Sequence, residues 1–403
     1  MTDVRHTHNA YADDPALRDA PTPDTLDPAG SEHAWQEITS WPGYAPTPLV
    51  ELPGMAERLR IGTLRYKDES ERFGLNSFKA LGGAYAVYRL LSTMTAERGE
   101  DIPMSSARLM AGDFSKITRT VTVCSATDGN HGRSVAWGAQ MFGCNCVIFV
   151  PTAVSEGRVK AIEHYGAVVT RVAGNYDKTV RHAQAEADRN GWFVISDTSY
   201  DGYVDVPRDV MQGYVVMASE AIAQTPDGTP PTHVLVQGGV GGLAASVCTR
   251  YWREYGATRP RFVLVEPMNA DCIYRSLQLG KPVSVEGDLE TAMAGLSAGE
   301  ISLLAWEVLK IGADDGLAIP DDRVAEAMRR LGEGEAGDIP VVAGESAVAG
   351  LVALYHAVDC GELRQVLDID ENSIVQLFGT EGATDPDVYA ALTGRSADKV
   401  RAG

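Results

Sequence analysis

The rhythm of strands and helices in this chain predicts an α/β protein with two parallel-sheet domains and flanking helices. Three observations carry that expectation. Between residues 120 and 200, β-branched or alternating stretches take turns with amphipathic ones, the interval at which a parallel sheet returns through a helix. Gly143, Gly166 and Gly191 follow the three helical stretches of that block, where a left-handed residue closes a helix. A further strand at 232–237 runs straight into Gly238-Gly-Val-Gly-Gly-Leu-Ala-Ala and a helix reaching about residue 255, which opens a second parallel layer.

Residues 1 to about 40 are rich in Asp, Pro, Ala and His with no sustained period, and read as an irregular arm. An extended, Pro-interrupted stretch follows Pro42-Gly43, then a strand near 64–67 and a helix from about 78 to 91. In the alternating block, strands are expected at 120–125, 146–150, 168–172 and 192–196, with helices at 131–142, 155–165 and 177–190. Ser155 and Asp177 stand where N-caps belong. Strands at 261–266 and 373–378 complete the second layer, and 288–370 reads as mostly helical. The domain division expected from this order is an arm at 1–40, a large domain from 41–92 with 210–403, and a small α/β domain at 93–209.

At 403 residues the chain is long enough for two domains and a large core. Its formal net charge of −20 argues against nucleic acid or an anionic membrane as partner. No apolar run approaches a membrane span, so a cytoplasmic protein is expected. The six cysteines are scattered. Cys144 and Cys146 share a strand face without metal-ligand spacing, so reduced, mostly buried thiols and no metal site are expected.

Four places carry candidate chemistry. Lys79 stands at the mouth of a helix whose next residues are apolar and small. Desolvation there favours a neutral amine, the form that attacks an aldehyde to make a Schiff base, although most lysines are solvated surface charges. The glycine run at 238–242 lies between strand and helix, where backbone N–H groups converge on an anion. It satisfies G-x-G-x-x-A, with Glu266 ending the next strand as a ribose-binding acid would. It equally suits a phosphate cup, or a structural tight turn. Ser125-Ala-Thr-Asp128-Gly-Asn130-His131-Gly repeats the strand-to-helix setting. Asp128 and Asn130 suit a site there, His131 reads as a local cap, and a capped turn of Asp, Asn and Gly is the plain alternative. Gly379-Thr380-Glu-Gly382 follows the last strand; it could meet a ring nitrogen or be an empty turn.

Together these motifs resemble the fold type II pyridoxal-phosphate enzymes, the group holding threonine dehydratase, cysteine synthase and the tryptophan synthase β chain. The order of Schiff-base lysine, Asn-bearing loop, glycine cup and C-terminal loop matches that group. The diaminopropionate ammonia-lyase pattern is echoed at Lys67-Asp-Glu-Ser, Phe73-Gly-Leu-Asn-Ser-Phe-Lys79, Thr127-Asp-Gly-Asn-His-Gly-Arg133 and Asp197-Thr. It recurs at Met211-Gln-Gly-Tyr, Glu266-Pro, Ala270-Asp-Cys-Ile-Tyr-Arg-Ser, Met293-Ala-Gly-Leu, Gly344-Glu-Ser and Thr380-Glu-Gly. The acid in Thr-Asp128-Gly-Asn-His is specific to that subfamily, the dehydratases carrying a shorter form. The glycine loop then looks like a phosphate cup.

The resemblance implies pyridoxal 5'-phosphate in a cleft between the domains, with the large domain binding it, and a homodimer. It implies that Lys79 holds the aldehyde and Asn130 the ring hydroxyl. Gly238, Gly239, Val240, Gly241 and Gly242 would bind phosphate, and Thr380 would face the ring nitrogen. Asp128 would transfer protons, and Asp197 would orient or deprotonate substrate. The implied reaction is α,β-elimination of 2,3-diaminopropionate, a small amino acid, to pyruvate and ammonia. Its rivals are a dehydratase or β-replacement enzyme on serine-like or O-activated amino acids, and a non-catalytic cofactor-binding regulator. One departure is the stretch Gly295-Leu-Ser-Ala298-Gly-Glu. Relatives often carry a cysteine there, able to pair with the one matching Cys272; with Ala298 that bridge is excluded.

Overall fold

A computed structural model describes residues 4–97, 104–127, 129–174 and 176–402. In chain order its strands are β1 (Arg5–His8), β2 (Leu49–Glu51), β3 (Thr63–Asp68), β4 (Thr122–Ala126), β5 (Asn145–Pro151) and β6 (Val168–Val172). They continue with β7 (Phe193–Val194), β8 (His233–Gln237), β9 (Arg261–Pro267), β10 (Asp315–Ile319) and β11 (Ile374–Gly379). The chain divides into two compact units. The first comprises Met1–Thr25, Pro46–Glu71 and Met217–Gly403, the second Leu26–Ala45 and Arg72–Val216.

The first unit holds a seven-stranded sheet in the order β1-β10-β9-β8-β11-β3-β2. Its five inner strands run parallel, and β1 and β2 close the edges antiparallel. The inner strands read as continuous apolar runs because both faces are covered; every residue of β8 and β10 is buried. One buried charge in this unit is structural. Lys67 donates to Glu220 Oε2 at 2.7 Å, the Thr47 carbonyl at 2.5 Å and Gln224 Oε1 at 2.9 Å. Removing one partner of such a pair strands the other charge in the core, at a cost of about 3–5 kcal/mol.

The second unit holds four parallel strands in the order β6-β5-β4-β7. The helix Lys79–Glu97 belongs here because it packs closely on the helix Asn130–Phe142. A Cβ at Gly138 would lie 2.7 Å from Ala84 Cα, and one at Gly83 would lie 2.5 Å from Ser134 Oγ. Two helices meet backbone to backbone only where such positions carry no side chain. Gly143, Gly166 and Gly191 have the expected positive φ of 75°, 81° and 68°. The Ser155 hydroxyl caps its helix by accepting from Arg158 N. Asp177 lies inside the helix Tyr176–Asn190, one residue past its start.

Two stretches differ from the sequence reading. Residues 315–319, within the stretch read as mostly helical, form β10, between β1 and β9 in the sheet. Five residues buried on both faces show no alternation that periodicity could detect. Residues 5–8, within the stretch read as an irregular arm, form the edge strand β1, and the arm also contains the helix Pro28–Thr39. Asp27 caps that helix by accepting from Gly30 N at 2.7 Å, and Ala34 and Ile38 form its buried face.

Polar groups pin β1. His6 Nε2 and His8 Nδ1 lie 2.9 and 3.1 Å from Asp315 Oδ1, while Arg261 Nε donates to Asp315 Oδ2 at 2.6 Å. Burial alone would raise the Asp315 pKa, but hydrogen bonds from His6 and Arg261 and the Arg261 charge bring it to about 2. Burial likewise opposes protonation of His8, yet its bonds to Asp315 and Asp13 leave its pKa raised.

A pH dependence follows. His8 binds its proton more tightly folded than unfolded, so its contribution is complete below the ordinary histidine value of about 6.5 and fades as pH rises through the folded value. Against a His8→Gln variant, wild type should show its largest Tm advantage near pH 5.5 and little near pH 9. Added salt should shrink that gap, since His8 is exposed. A gap constant with pH in thermal melts would show that the imidazole contributes no charge.

Candidate active site

In the second unit, β4 and β7 are neighbouring parallel strands, so the segments leaving their carboxyl ends lie side by side. One carries Thr127 to His131, the other Ile195 to Asp197. Thr127 Oγ1 accepts from Gly129 N at 3.0 Å and Gly132 N at 3.1 Å, which fixes the turn. Asn130 then opens the helix Asn130–Phe142. Asp128 lies outside the described residues. His131 is buried, with Nε2 2.9 Å from the Ile195 carbonyl oxygen and Nδ1 4.0 Å from Asp197 Oδ2.

Lys79 opens the helix Lys79–Glu97 and donates its ammonium to the same Asp197 Oδ2. Its Nζ also lies 5.4 and 5.7 Å from the ring centroids of Phe78 and Tyr214, within cation–π reach. Here the structure corrects the expectation of a neutral amine. Burial does push the Lys79 pKa down, but the Asp197 charge more than reverses it and the value ends above the ordinary lysine range. Asp197 shows the reciprocal result: burial raises its pKa, the Lys79 charge lowers it, and the net value falls. Unreacted Lys79 is therefore an ammonium held by a carboxylate.

The first unit carries the glycine run. Gly238 N donates to Val265 O at 2.9 Å, and a Cβ on Gly238 would lie 2.5 Å from Glu266 Cγ. Gly239 and Gly241 have φ of 71° and 90°, open to glycine at no steric cost. The helix Gly242–Tyr255 starts with no side-chain cap. Its leading N–H groups are thus turned to the loop, the arrangement that binds an anion. Glu266 does not act as a free ribose acid. It is 1% exposed, and its oxygens accept from Ile273 N at 3.1 Å and Tyr274 N at 2.7 Å. Burial pushes its pKa up to about 8 despite those bonds.

Thr380, buried after β11, accepts from Gln237 Nε2 at 2.9 Å. Its own hydroxyl hydrogen is left to donate, which suits an unprotonated ring nitrogen. The Lys67-Asp-Glu-Ser segment supports this loop. Glu69 N donates to Gly379 O at 2.8 Å, and a Cβ on Gly382 would lie 2.7 Å from Ser70 Cβ. Cys272 is a free thiol.

The pyridoxal-phosphate dependent enzyme family model matches residues 40–369. The diaminopropionate ammonia-lyase of Escherichia coli (strain K12) is 39% identical over 351 residues, 86% of this chain and 87% of that protein. This chain belongs to the diaminopropionate ammonia-lyase family. The Escherichia coli enzyme in complex with D-serine superposes with a TM-score of 0.89 at 35% identity, covering 98% of both chains. Its structure with the aminoacrylate-PLP azomethine reaction intermediate gives 0.87 at 35% identity, covering 98% of this chain and 97% of the other. Taken unit by unit, the residues present suit pyridoxal phosphate: the second unit offers an amine for an aldehyde, and the first an uncapped glycine turn for a phosphate and a hydroxyl for a ring nitrogen. Sequence reasoning gave His131 and Tyr214 no role at the amine, although both stand inside the quoted motifs.

In Asp197→Asn the charge that opposes burial is gone and the Lys79 pKa falls. The pH midpoint at which apoenzyme captures pyridoxal phosphate, followed by visible absorbance, should move down accordingly. An unmoved midpoint would remove Asp197 from control of the amine.

Proposed function

We propose that this protein catalyses α,β-elimination of 2,3-diaminopropionate, consuming one water and releasing pyruvate and two ammonia molecules. The observation that carries this reading is the ion pair of part-buried Lys79 with buried Asp197 in a chain of this family. Bound pyridoxal phosphate supplies the electron sink that acidifies the substrate Cα–H. In this reading Gly238, Gly239, Val240, Gly241 and Gly242 hold its phosphate through backbone N–H groups. Asn130 bonds the ring hydroxyl and the Thr380 hydroxyl donates to the ring nitrogen.

Lys79 would hold the aldehyde at rest and, as a free amine, would take the Cα proton from one face. Asp128 serves the other face, which allows both enantiomers to be used. Ammonia leaves readily only if the β-nitrogen departs protonated. Asp128 and Asp197 favour that state by attracting the substrate's second ammonium, which serine lacks. The protein is read as a cytoplasmic homodimer; among the described residues no helix is long and apolar enough to cross a membrane.

One observation favours a second reading: the Escherichia coli relative has been solved with D-serine, so elimination from serine-like substrates stands as the alternative. A panel of amino acids scored for ammonia and keto-acid release separates the two. Pyruvate and ammonia from 2,3-diaminopropionate are expected; release from serine alone would favour a dehydratase. Lys79→Ala should abolish the visible cofactor band, and its persistence would remove Lys79 from its role. Asp128→Asn should impair one enantiomer at least tenfold more than the other, within the range for loss of a general base, whereas equal losses would defeat the two-base scheme.

A further inference from the structure

His131 holds an unused acceptor beside the amine. The Ile195 carbonyl can only accept, so His131 Nε2 carries the imidazole proton. Burial lowers the pKa of the ring and keeps it neutral. Nδ1 is therefore a bare lone pair, and it finds no hydrogen-bond partner among the described residues. It sits 4.0 Å from Asp197 Oδ2, the oxygen that receives the Lys79 ammonium. Two buried acceptors side by side, one anionic and one neutral, suit a group that brings more than one hydrogen-bond donor, and a cation best.

We infer that Asp197 and His131 Nδ1 form an acceptor-only receptor for an ammonium group, and that during catalysis it takes the second ammonium of a diamino acid. The inference rests on the elimination reading above and specifies which side chains select its substrate. In the free protein Lys79 occupies the Asp197 half of this receptor and leaves His131 Nδ1 unpaired among the described residues. With the Lys79 nitrogen joined to the cofactor aldehyde at rest, Asp197 would lose its ammonium partner, and the receptor would be open to an arriving diamino acid. A substrate hydroxyl brings one hydrogen and satisfies one acceptor, leaving the other buried and unpaired. An ammonium brings enough for both. The difference in affinity is about tenfold or more.

The test measures binding without turnover. Calorimetric titration of the holoenzyme would use α-methyl-2,3-diaminopropionate and α-methylserine, which lack the Cα proton and cannot be eliminated. Wild type should prefer the diamino compound by at least about tenfold. His131→Gln keeps an amide N–H for the Ile195 carbonyl but offers no lone pair at Nδ1, and should lose most of that preference. His131→Asn places an amide oxygen near Nδ1 and should retain it, with thermal melts confirming that both variants fold. A preference undiminished in His131→Gln, or lost equally in both variants, overturns the inference. Failure of the elimination reading shows separately, as no pyruvate from 2,3-diaminopropionate with wild type.

Discussion

The ion pair between Lys79 and Asp197 is the constraint on which the chemistry depends. A buried lysine without a counter-charge would be a neutral amine in an apolar setting. One paired with a carboxylate stays charged, oriented and unreactive until something displaces the contact. The carboxylate is equally dependent, since burial alone would protonate it. Each holds the other ionised, so the pair acts as a lock on a reactive nitrogen. A partner for one member alters the charge state of the other.

The fold sets that pair by placing strand ends. Parallel β4 and β7 deliver the turn at 127–131 and the Asp197 segment together, and close packing of glycine against alanine fixes the helix that begins with Lys79. In the first unit the same logic applies at β8, β9 and β11. Their carboxyl ends lead to the glycine run, to Glu266 and to Thr380. Glu266 braces from below: its carboxyl takes the amides that start the helix Cys272–Leu279 and fills the space beside Gly238.

Much of this was legible in the residues. Glycine at helix ends, the Ser155 cap and the strand-to-helix glycine turn depend on local backbone chemistry, which a sequence displays directly. β10 was not legible, because a five-residue strand buried on both faces carries no period. β1 was hidden for a different reason: its attachment comes from His6 and His8 reaching Asp315, some three hundred residues away. The charge of Lys79 was misread for the same cause, since its partner lies over a hundred residues downstream. Glu266 shows the converse, where correct spacing for a ribose acid coexists with a carboxyl already occupied.

Ala298 has a consequence beyond excluding a bridge. Cys272 remains a buried thiol, its Sγ 3.7 Å from both the Gly239 carbonyl oxygen and Glu266 Oε1. Burial first, and the neighbouring Glu266 second, push its pKa well above the ordinary cysteine value. Thiolate is the species that oxidants and alkylating agents attack, and here it is suppressed. The thiol beside the glycine turn is therefore a poor target for oxidation.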